Sequence, residues 1–198
     1  MRLTNVTKRV LSLAVAATLV ATAVSVPVAP KKAEAAKKYT AYLCFASKSY
    51  NGVASNHNDS NRKLGVYNGG KKTKISGVKL KNASFKKGKF TFTVSATGKN
   101  LKKFAKDKGW NSIYVDTSLP GKDKKKLSVS KVTLKIDGKT VKTIKKPALT
   151  PDPGKSDSFT QIMVLNTWNT YAQKKCKATS ITKMPKKSIS VTVSGKLK

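Results

Sequence analysis

The sequence predicts an all-β protein built as a two-sheet antiparallel β-sandwich. Much of the chain from residue 36 onward consists of short runs in which apolar and polar residues alternate, the pattern of half-buried strands. Residues that favour turns separate these runs, and only one segment has the apolar spacing of a helix. Seven or eight short strands with one small helix favour a jelly roll, with an immunoglobulin-like sandwich as the alternative.

The first two clear strand signals differ in kind. Residues 39–46 carry apolar side chains on both faces, for example Leu43 on one and Cys44 on the other. This pattern predicts a strand that is covered on both faces or extends into a buried edge. Residues 90–97 alternate strictly between apolar side chains and threonine or serine. This second run therefore predicts a strand with one buried and one solvated face.

The remaining elements follow from the same patterns. We expect strands at 75–80, 113–116, 127–136, 140–144, 161–168 and 188–194. The helical segment is Asn100–Lys108, which Asn100 can cap and Gly109 can end. No fixed repeat or Pro/Ser-rich linker divides the chain, so a single domain is expected over residues 36–198.

Two local features predict how strands bend and turn. The apolar parity of residues 127–136 switches between Val129 and Val132, which indicates a β-bulge or a strand that passes between the sheets. Asp137-Gly138 lies between two strand-like runs. Because both central residues of a type I′ turn need positive φ, this dipeptide predicts a tight hairpin.

The N-terminus has the order of a secretory signal peptide. A basic head precedes the uncharged run Val10–Val26, and the small-residue site Ala33-Glu34-Ala35 follows. We expect residues 1–35 to be removed as a signal peptide, so that the mature protein is secreted and either extracellular or associated with the cell wall. An uncleaved N-terminal anchor is the alternative, because the apolar run approaches the length of a membrane span.

The charge of the chain is strongly positive. The full sequence carries a net charge of +34, and loss of residues 1–35 would leave +30. Arg62 is the only arginine after residue 35, so the charge is almost entirely lysine. Lysine lacks the planar fork that reads phosphates and bases bidentately, so we expect no specific nucleic-acid recognition. The positive electrostatic field of these lysines favours binding of anionic cell-wall polymers and acidic glycans. The alternative is that the lysines only form a solvated, soluble surface.

Two cysteines remain after residue 35, Cys44 and Cys176. An exported protein can form a disulfide, and closing so large a loop would stabilise the fold by about 4–5 kcal/mol in the chain-entropy model. We therefore expect their Cα atoms to lie within about 7 Å of each other. Two buried thiols are the alternative.

The residues do not favour catalysis or a cofactor. The chain after residue 35 has no glutamate, seven scattered aspartates and a single histidine, His57. Glycoside hydrolysis needs a carboxylate pair, and a catalytic triad would have to be built around His57 without a nucleophile motif. Zinc needs more Cys and His than are present, and the oxygen donors around Asp59 lack a calcium-loop pattern. We expect neither an enzyme nor a metal site.

Candidate ligand contacts lie in a long polar segment. Residues 47–70 are rich in Asn, Ser and Gly, and residues 147–158 form a second long loop. Sugar-binding sandwiches present flat aromatic rings beside hydrogen-bonding side chains. The residues of this chain that offer that mixture, and that we expect to bind a ligand, are Tyr50, His57, Asp59, Arg62, Tyr67 and Trp110.

The order of several strand motifs resembles a known group of domains. These motifs are the tyrosine-rich first strand at 39–45, Phe-Thr-Phe-Thr-Val at 90–94, Ile-Tyr-Val-Asp-Thr at 113–117, residues 132–139 and Val-Leu-Asn-Thr-Trp-Asn at 164–169. Together they resemble jelly-roll, carbohydrate-binding-module-like domains exported by Gram-positive gut bacteria. The resemblance implies a sandwich fold and a glycan ligand, and no individual binding residue follows from it. The lysine content departs from such modules and argues against a neutral polysaccharide.

These observations lead to one functional expectation and one rival. The expectation is a secreted, non-catalytic binding module for a glycan or an anionic cell-wall polymer. The rival is a highly cationic structural protein that coats anionic surfaces without a defined ligand site. Exposed aromatic rings in a concavity would favour the first, and buried rings beneath a lysine surface would favour the second.

Overall fold

The computed structural model describes residues 36–53, 65–68, 73–151, 159–167 and 181–198. Within them the chain forms twelve strands and two short 3₁₀ helices, the latter at Lys99–Lys106 and Gly121–Lys126. The strands are β1 (Lys38–Ser47), β2 (Tyr50–Val53), β3 (Gly65–Asn68), β4 (Lys79–Lys81), β5 (Ala83–Lys86), β6 (Gly88–Thr97), β7 (Trp110–Pro120), β8 (Leu127–Ile136), β9 (Lys139–Lys145), β10 (Leu149–Pro151), β11 (Phe159–Asn166) and β12 (Ser188–Leu197).

The strands form two antiparallel sheets. The seven-stranded sheet has the order β10-β11-β7-β1-β2-β3, and β5 also pairs with β1. The five-stranded sheet has the order β4-β6-β12-β8-β9. Every strand pairing between these elements is antiparallel. The prediction of an all-β, two-sheet protein is therefore confirmed.

One apolar core lies between the two sheets. Leu43 of β1 and Val115 of β7 belong to the same buried cluster as Val94 of β6 and Val191 of β12, and all four side chains are 0% exposed. Full burial of such a side chain contributes about 1.5–3 kcal/mol, so this interface between the sheets is the main source of stability. Ala36–Lys198 forms one compact unit.

The predicted irregularity in residues 127–136 is a β-bulge. Ser194 of β12 pairs with Lys131, and Gly195 pairs with Val129, so Ser130 is the extra residue on β8. The Ser130 hydroxyl donates a hydrogen bond to the Ser194 carbonyl at 3.0 Å. A Cβ atom at Gly195 would collide with the Ser128 carbonyl oxygen and lie 2.8 Å from Phe90 Cζ. The close approach of the chains therefore requires glycine opposite the bulge.

The predicted hairpin between β8 and β9 is also present. Asp137 has φ +49° and Gly138 has φ +80°, while Ile136 pairs with Lys139 across the turn. Two consecutive positive φ values are the signature of a type I′ turn. The hairpin prediction from Asp137-Gly138 is confirmed.

Other elements differ from their sequence-based expectations. The helical segment is a 3₁₀ helix over Lys99–Lys106 that buries Leu101 and Phe104. Four strands were not expected because they are only three or four residues long, namely β2, β3, β5 and β10. The strand expected at 75–80 is present only at its end, as β4. β7 extends well beyond the expected 113–116, because its buried polar residues hide the strand pattern.

The predicted signal peptide lies outside the described residues. No helix in the described part of the chain is both long and apolar enough to cross a membrane. Cleavage after residue 35 and export stay predictions.

Candidate functional site

The two sheets carry very different charges. The five strands of the five-stranded sheet contain nine lysines and no acidic residue. The strands of the seven-stranded sheet contain two lysines, Lys38 and Lys86, and one aspartate, Asp116. The lysines of the five-stranded sheet are Lys79, Lys81, Lys89, Lys131, Lys135, Lys139, Lys142, Lys145 and Lys196. Positive charge is therefore concentrated on one of the two layers.

The two sheets also differ in what they expose. In β7, the side chains that face away from the core include Ser112, Tyr114 and Asp116, and each is at most 7% exposed. Asp116 is fully buried and lies in register between Tyr42 of β1 and Gln161 of β11. The central strands of the seven-stranded sheet are thus buried on both faces. In the five-stranded sheet, the side chains of β6 that point away from the core are half-buried or exposed.

A strip of hydroxyl groups runs along the middle of this open face. β6 and β12 pair over ten residues, from Ser188 opposite Thr97 to Leu197 opposite Gly88. Because side chains alternate between faces, their apolar residues enter the core and their hydroxyl residues point outward. We call this set the hydroxyl track: Thr91, Thr93, Ser95, Thr97, Ser188, Ser190, Thr192 and Ser194.

Direct hydrogen bonds order the hydroxyl track. The Thr93 and Thr192 hydroxyl oxygens are 2.8 Å apart, and the Thr91 hydroxyl donates to the Ser194 hydroxyl at 3.0 Å. The threonine row continues across the sheet, because Thr192 pairs with Thr133 and Thr133 with Thr143. Neighbouring strands lie about 4.8 Å apart, and β-branched side chains are stiff, so the row presents regularly spaced hydroxyls.

Lysines border the hydroxyl track on three sides. Lys79 and Lys81 of β4 are paired with Thr97 and Ser95, and Lys131 and Lys135 of β8 are paired with Ser194 and Ser190. Lys89 and Lys196 face each other at the end of the paired strands. These six exposed residues form what we call the lysine border. Its two long sides are three strand spacings apart, about 14 Å.

The aspartates that lie near the sheets are held by other partners. Asp137 accepts hydrogen bonds from the backbone N–H groups of Lys186, Lys187 and Ser188 at 2.7–2.9 Å. Burial raises the pKa of Asp137, but these hydrogen bonds together outweigh it and lower the pKa below its ordinary value. Asp123 pairs with Lys126 at 2.8 Å, and their hydrogen bond lowers the pKa of Asp123.

Asp107 is held in a similar way at the turn between β1 and β2. Its carboxylate accepts hydrogen bonds from the Ser49 backbone N–H at 2.8 Å and from the Ser49 hydroxyl at 2.9 Å. Burial raises the pKa of Asp107, but hydrogen bonds from Ser47 and Ser49 outweigh that effect and lower it. This carboxylate therefore stabilises the fold and does not offset the lysine border.

The aromatic residues expected to bind a ligand are integrated into the fold. Tyr67 lies in β3 and is 4% exposed, so the prediction of an exposed loop tyrosine was wrong. Trp110 is 6% exposed, and its indole N–H donates to the Lys183 carbonyl at 3.0 Å. Tyr50 is half-buried in β2, with its ring 5.2 Å from that of Phe104. Neither Tyr67 nor Trp110 offers a ring face on which a sugar can stack.

Other expected site residues lie outside the described residues. These are His57, Asp59 and Arg62, together with Cys176 of the expected disulfide. Cys44 is 3% exposed and packs in a small cluster with Tyr114 and Met163. The Cys44–Cys176 bridge and the contacts of the three polar residues stay predictions. The described ranges contain no group of three or more side chains arranged to hold a metal ion.

The hydroxyl track was not among the residues expected to bind. Its signal in the sequence is the threonine and serine alternation at 91–97 and 188–194, which by itself indicates only the solvated face of a strand. The pairing of Thr93 with Thr192 joins residues 99 positions apart. The two segments therefore form one surface only because the strand order places β6 beside β12.

Comparison with protein-family models, curated protein sequences and solved structures finds no match to this chain. The resemblance to carbohydrate-binding modules stays an expectation drawn from strand motifs. The candidate site is therefore the open face of the five-stranded sheet, where the lysine border flanks an ordered hydroxyl track on three sides.

Proposed function

We propose that this chain is an exported, non-catalytic domain that binds an anionic cell-wall polymer on the open face of the five-stranded sheet. The observation that carries the proposal is the composition of the strands in that layer, which have nine lysines and no acidic residue. Such one-sided charge attracts polyanions through the field it creates.

The hydroxyl track adds directional contacts to this field. Hydroxyl groups donate and accept hydrogen bonds, and the lysine ammonium groups each provide three donors. A phosphate, sulfate or carboxylate that lies over the track meets both kinds of donor, with charge-assisted hydrogen bonds the stronger. Ten paired residues of β6 and β12 extend about 33 Å, which is long enough for several repeats of an extended polymer.

Burial of the aromatic rings argues against a neutral glycan at the expected positions. Stacking on a pyranose needs an exposed ring face, and the rings of Tyr67 and Trp110 are buried. An anionic polymer is therefore better supported as the ligand than a neutral glycan.

A surface-coating protein without a defined site is the second candidate. It is supported by lysines outside the five-stranded sheet, such as the exposed residues Lys99, Lys102, Lys103 and Lys106 on the 3₁₀ helix at Lys99–Lys106. Under that account all lysines contribute equally to binding. The two functions therefore differ in whether binding depends on where a lysine lies.

Binding of the purified protein to poly(glycerol phosphate) teichoic acid, compared with neutral dextran, tests the proposal. We expect saturable binding to the teichoic acid only. Affinity should fall steeply from about 50 to 500 mM salt, because the Debye length shortens from roughly 14 to 4 Å. Equal binding to dextran, or an affinity that does not change with salt, would contradict the proposal.

A further inference from the structure

A cavity distinct from the hydroxyl track lies beside the 3₁₀ helix at Gly121–Lys126. Its volume is about 360 Å³, and three lysines contribute to its wall: Lys124, Lys125 and Lys146. Lys124 and Lys125 come from the helix, and Lys146 follows β9. Among the described residues no acidic side chain lines the cavity, and nearby Asp123 is paired with Lys126.

The rest of the cavity wall is apolar. Leu127 and Ala148 are 5% and 8% exposed, and Pro147 and Leu149 complete the lining. The Ala148 carbonyl accepts a hydrogen bond from the Met163 N–H at 3.0 Å, which holds this short segment against β11. The cavity wall therefore combines three lysines with an apolar part, which we call the floor.

Lys146 has an unusual backbone conformation. Its φ of +49° lies in the left-handed region, which costs a residue other than glycine about 1–2 kcal/mol. The Lys146 N–H donates to the Ser130 carbonyl at 3.2 Å, so the bulge on β8 helps to hold the strained turn. Glycine or asparagine is the usual residue at such a position, and lysine there supplies a third cation to the cavity wall instead.

We propose that this cavity binds a small anionic amphiphile, a molecule with one phosphate, sulfate or carboxylate group attached to a short apolar chain. The anionic group lies among Lys124, Lys125 and Lys146, and the chain lies on the floor formed by Leu127 and Ala148. Ligand cavities range from about 300 to 1,000 Å³, so this volume suits one small molecule rather than a polymer. None of the described residues that line the cavity belongs to the hydroxyl track or the lysine border.

Calorimetric titration of the purified protein with octyl phosphate, inorganic phosphate and octanol tests this site. Octyl phosphate, used below its micelle threshold, should bind one to one. Inorganic phosphate should bind at least about tenfold more weakly, because it makes no contact with the floor, and octanol should not bind measurably. Phosphate binding as tight as that of octyl phosphate would overturn the proposal, because the floor would then contribute nothing.

Matched charge variants separate the cavity from the general positive field. The double variant K124Q/K146Q should weaken octyl phosphate binding at least about fivefold, and K102Q/K103Q, with the same loss of charge on the other 3₁₀ helix, should weaken it less than about twofold. Equal weakening by both variants, with unchanged thermal unfolding, would overturn the proposal. Phosphatidylglycerol vesicles that displace octyl phosphate would identify the natural source as a membrane lipid, and vesicles that do not would identify a soluble amphiphile.

Discussion

At the scale of single residues, Asp137 connects a local turn to a distant strand. It occupies the first positive-φ position of the β8–β9 hairpin, and its carboxylate accepts three backbone hydrogen bonds from residues 186–188. The turn was predictable because an Asp-Gly pair favours positive φ. The hydrogen bonds of the carboxylate were not predictable from the sequence, because they join residues about 50 positions apart in the chain.

Removing the Asp137 carboxylate should destabilise the protein. Each hydrogen bond to a charged group contributes about 1.5–3 kcal/mol, and the three here are partly exposed, so D137A should cost about 1–3 kcal/mol in total. Denaturant unfolding measures this change. K139A, on the same hairpin, serves as the control, and an equal effect of both variants would contradict the role assigned to Asp137.

The lowered pKa of Asp137 also predicts acid sensitivity. The ordinary aspartate value is about 3.9, and a pKa lowered in the folded state contributes stability above that value, which is lost as pH falls through the folded pKa. The free energy of unfolding should thus fall below about pH 4. D137N, which tolerates positive φ but cannot ionise, should show a shallower fall, and an identical pH profile for both proteins would refute this account.

At the scale of elements, the bulge at Ser130 requires glycine on the partner strand. A methyl group at Gly195 would collide with the Ser128 carbonyl and Phe90, and the backbone of the paired strands cannot easily move away. G195A should therefore cost about 1–3 kcal/mol, in the range typical of overpacking. A methyl group at Gly109 would meet no described atom within 4 Å, so G109A is the control and should leave the unfolding midpoint nearly unchanged.

The hydroxyl track gives a prediction in which charge does not change. Replacing Thr93 and Thr192 with valine keeps the shape of the row and removes the hydroxyl pair at 2.8 Å. Binding of teichoic acid should weaken about threefold or more, and stability should change by less than about 1 kcal/mol because the bond is exposed. The exposed pair T73V/T182V, outside the sheet strands, should leave binding unchanged. If T93V/T192V binds as tightly as the parent protein, the hydroxyl track does not contribute to the binding site.

Sequence patterns predicted long elements well and short ones poorly. The observed β8 has the predicted bounds, because apolar and polar residues alternate on both sides of its bulge and a two-residue turn ends it. Residues 47–70 were expected to form one loop, yet they contain β2 and β3. Their Gly and Asn content conceals two strands, which form because β2 pairs with β1 and β3 pairs with β2. Tyr67 is buried for the same reason, since tertiary pairing, and not its polar neighbours, determines its exposure.

At the scale of the whole molecule, strand order concentrates the charge. The lysines are spread along the sequence, and net charge alone predicted a polyanion ligand without indicating where it binds. The fold assigns nine of them to one sheet, whose outer side chains remain open, and buries the central strands of the other sheet on both faces. Composition therefore indicates an expected class of partner, and only the fold indicates a face that could bind it.

Charge reversal on each sheet separates a defined binding face from a general positive field. K131E/K135E changes the lysine border, and K38E/K86E changes two exposed lysines that pair with each other in the seven-stranded sheet. Both variants lower the net charge by the same amount, so the overall field changes equally and only the location differs. Affinity for poly(glycerol phosphate) teichoic acid should be measured at about 100 mM salt, where the Debye length is near 10 Å.

K131E/K135E should lower this affinity about tenfold or more, because the reversed charges repel the polymer at its binding face. K38E/K86E should lower it less than about threefold, and both proteins should retain the unfolding temperature of the parent within a few degrees. An equal loss of affinity in the two folded variants would contradict a defined binding face and would favour a uniformly cationic coating protein.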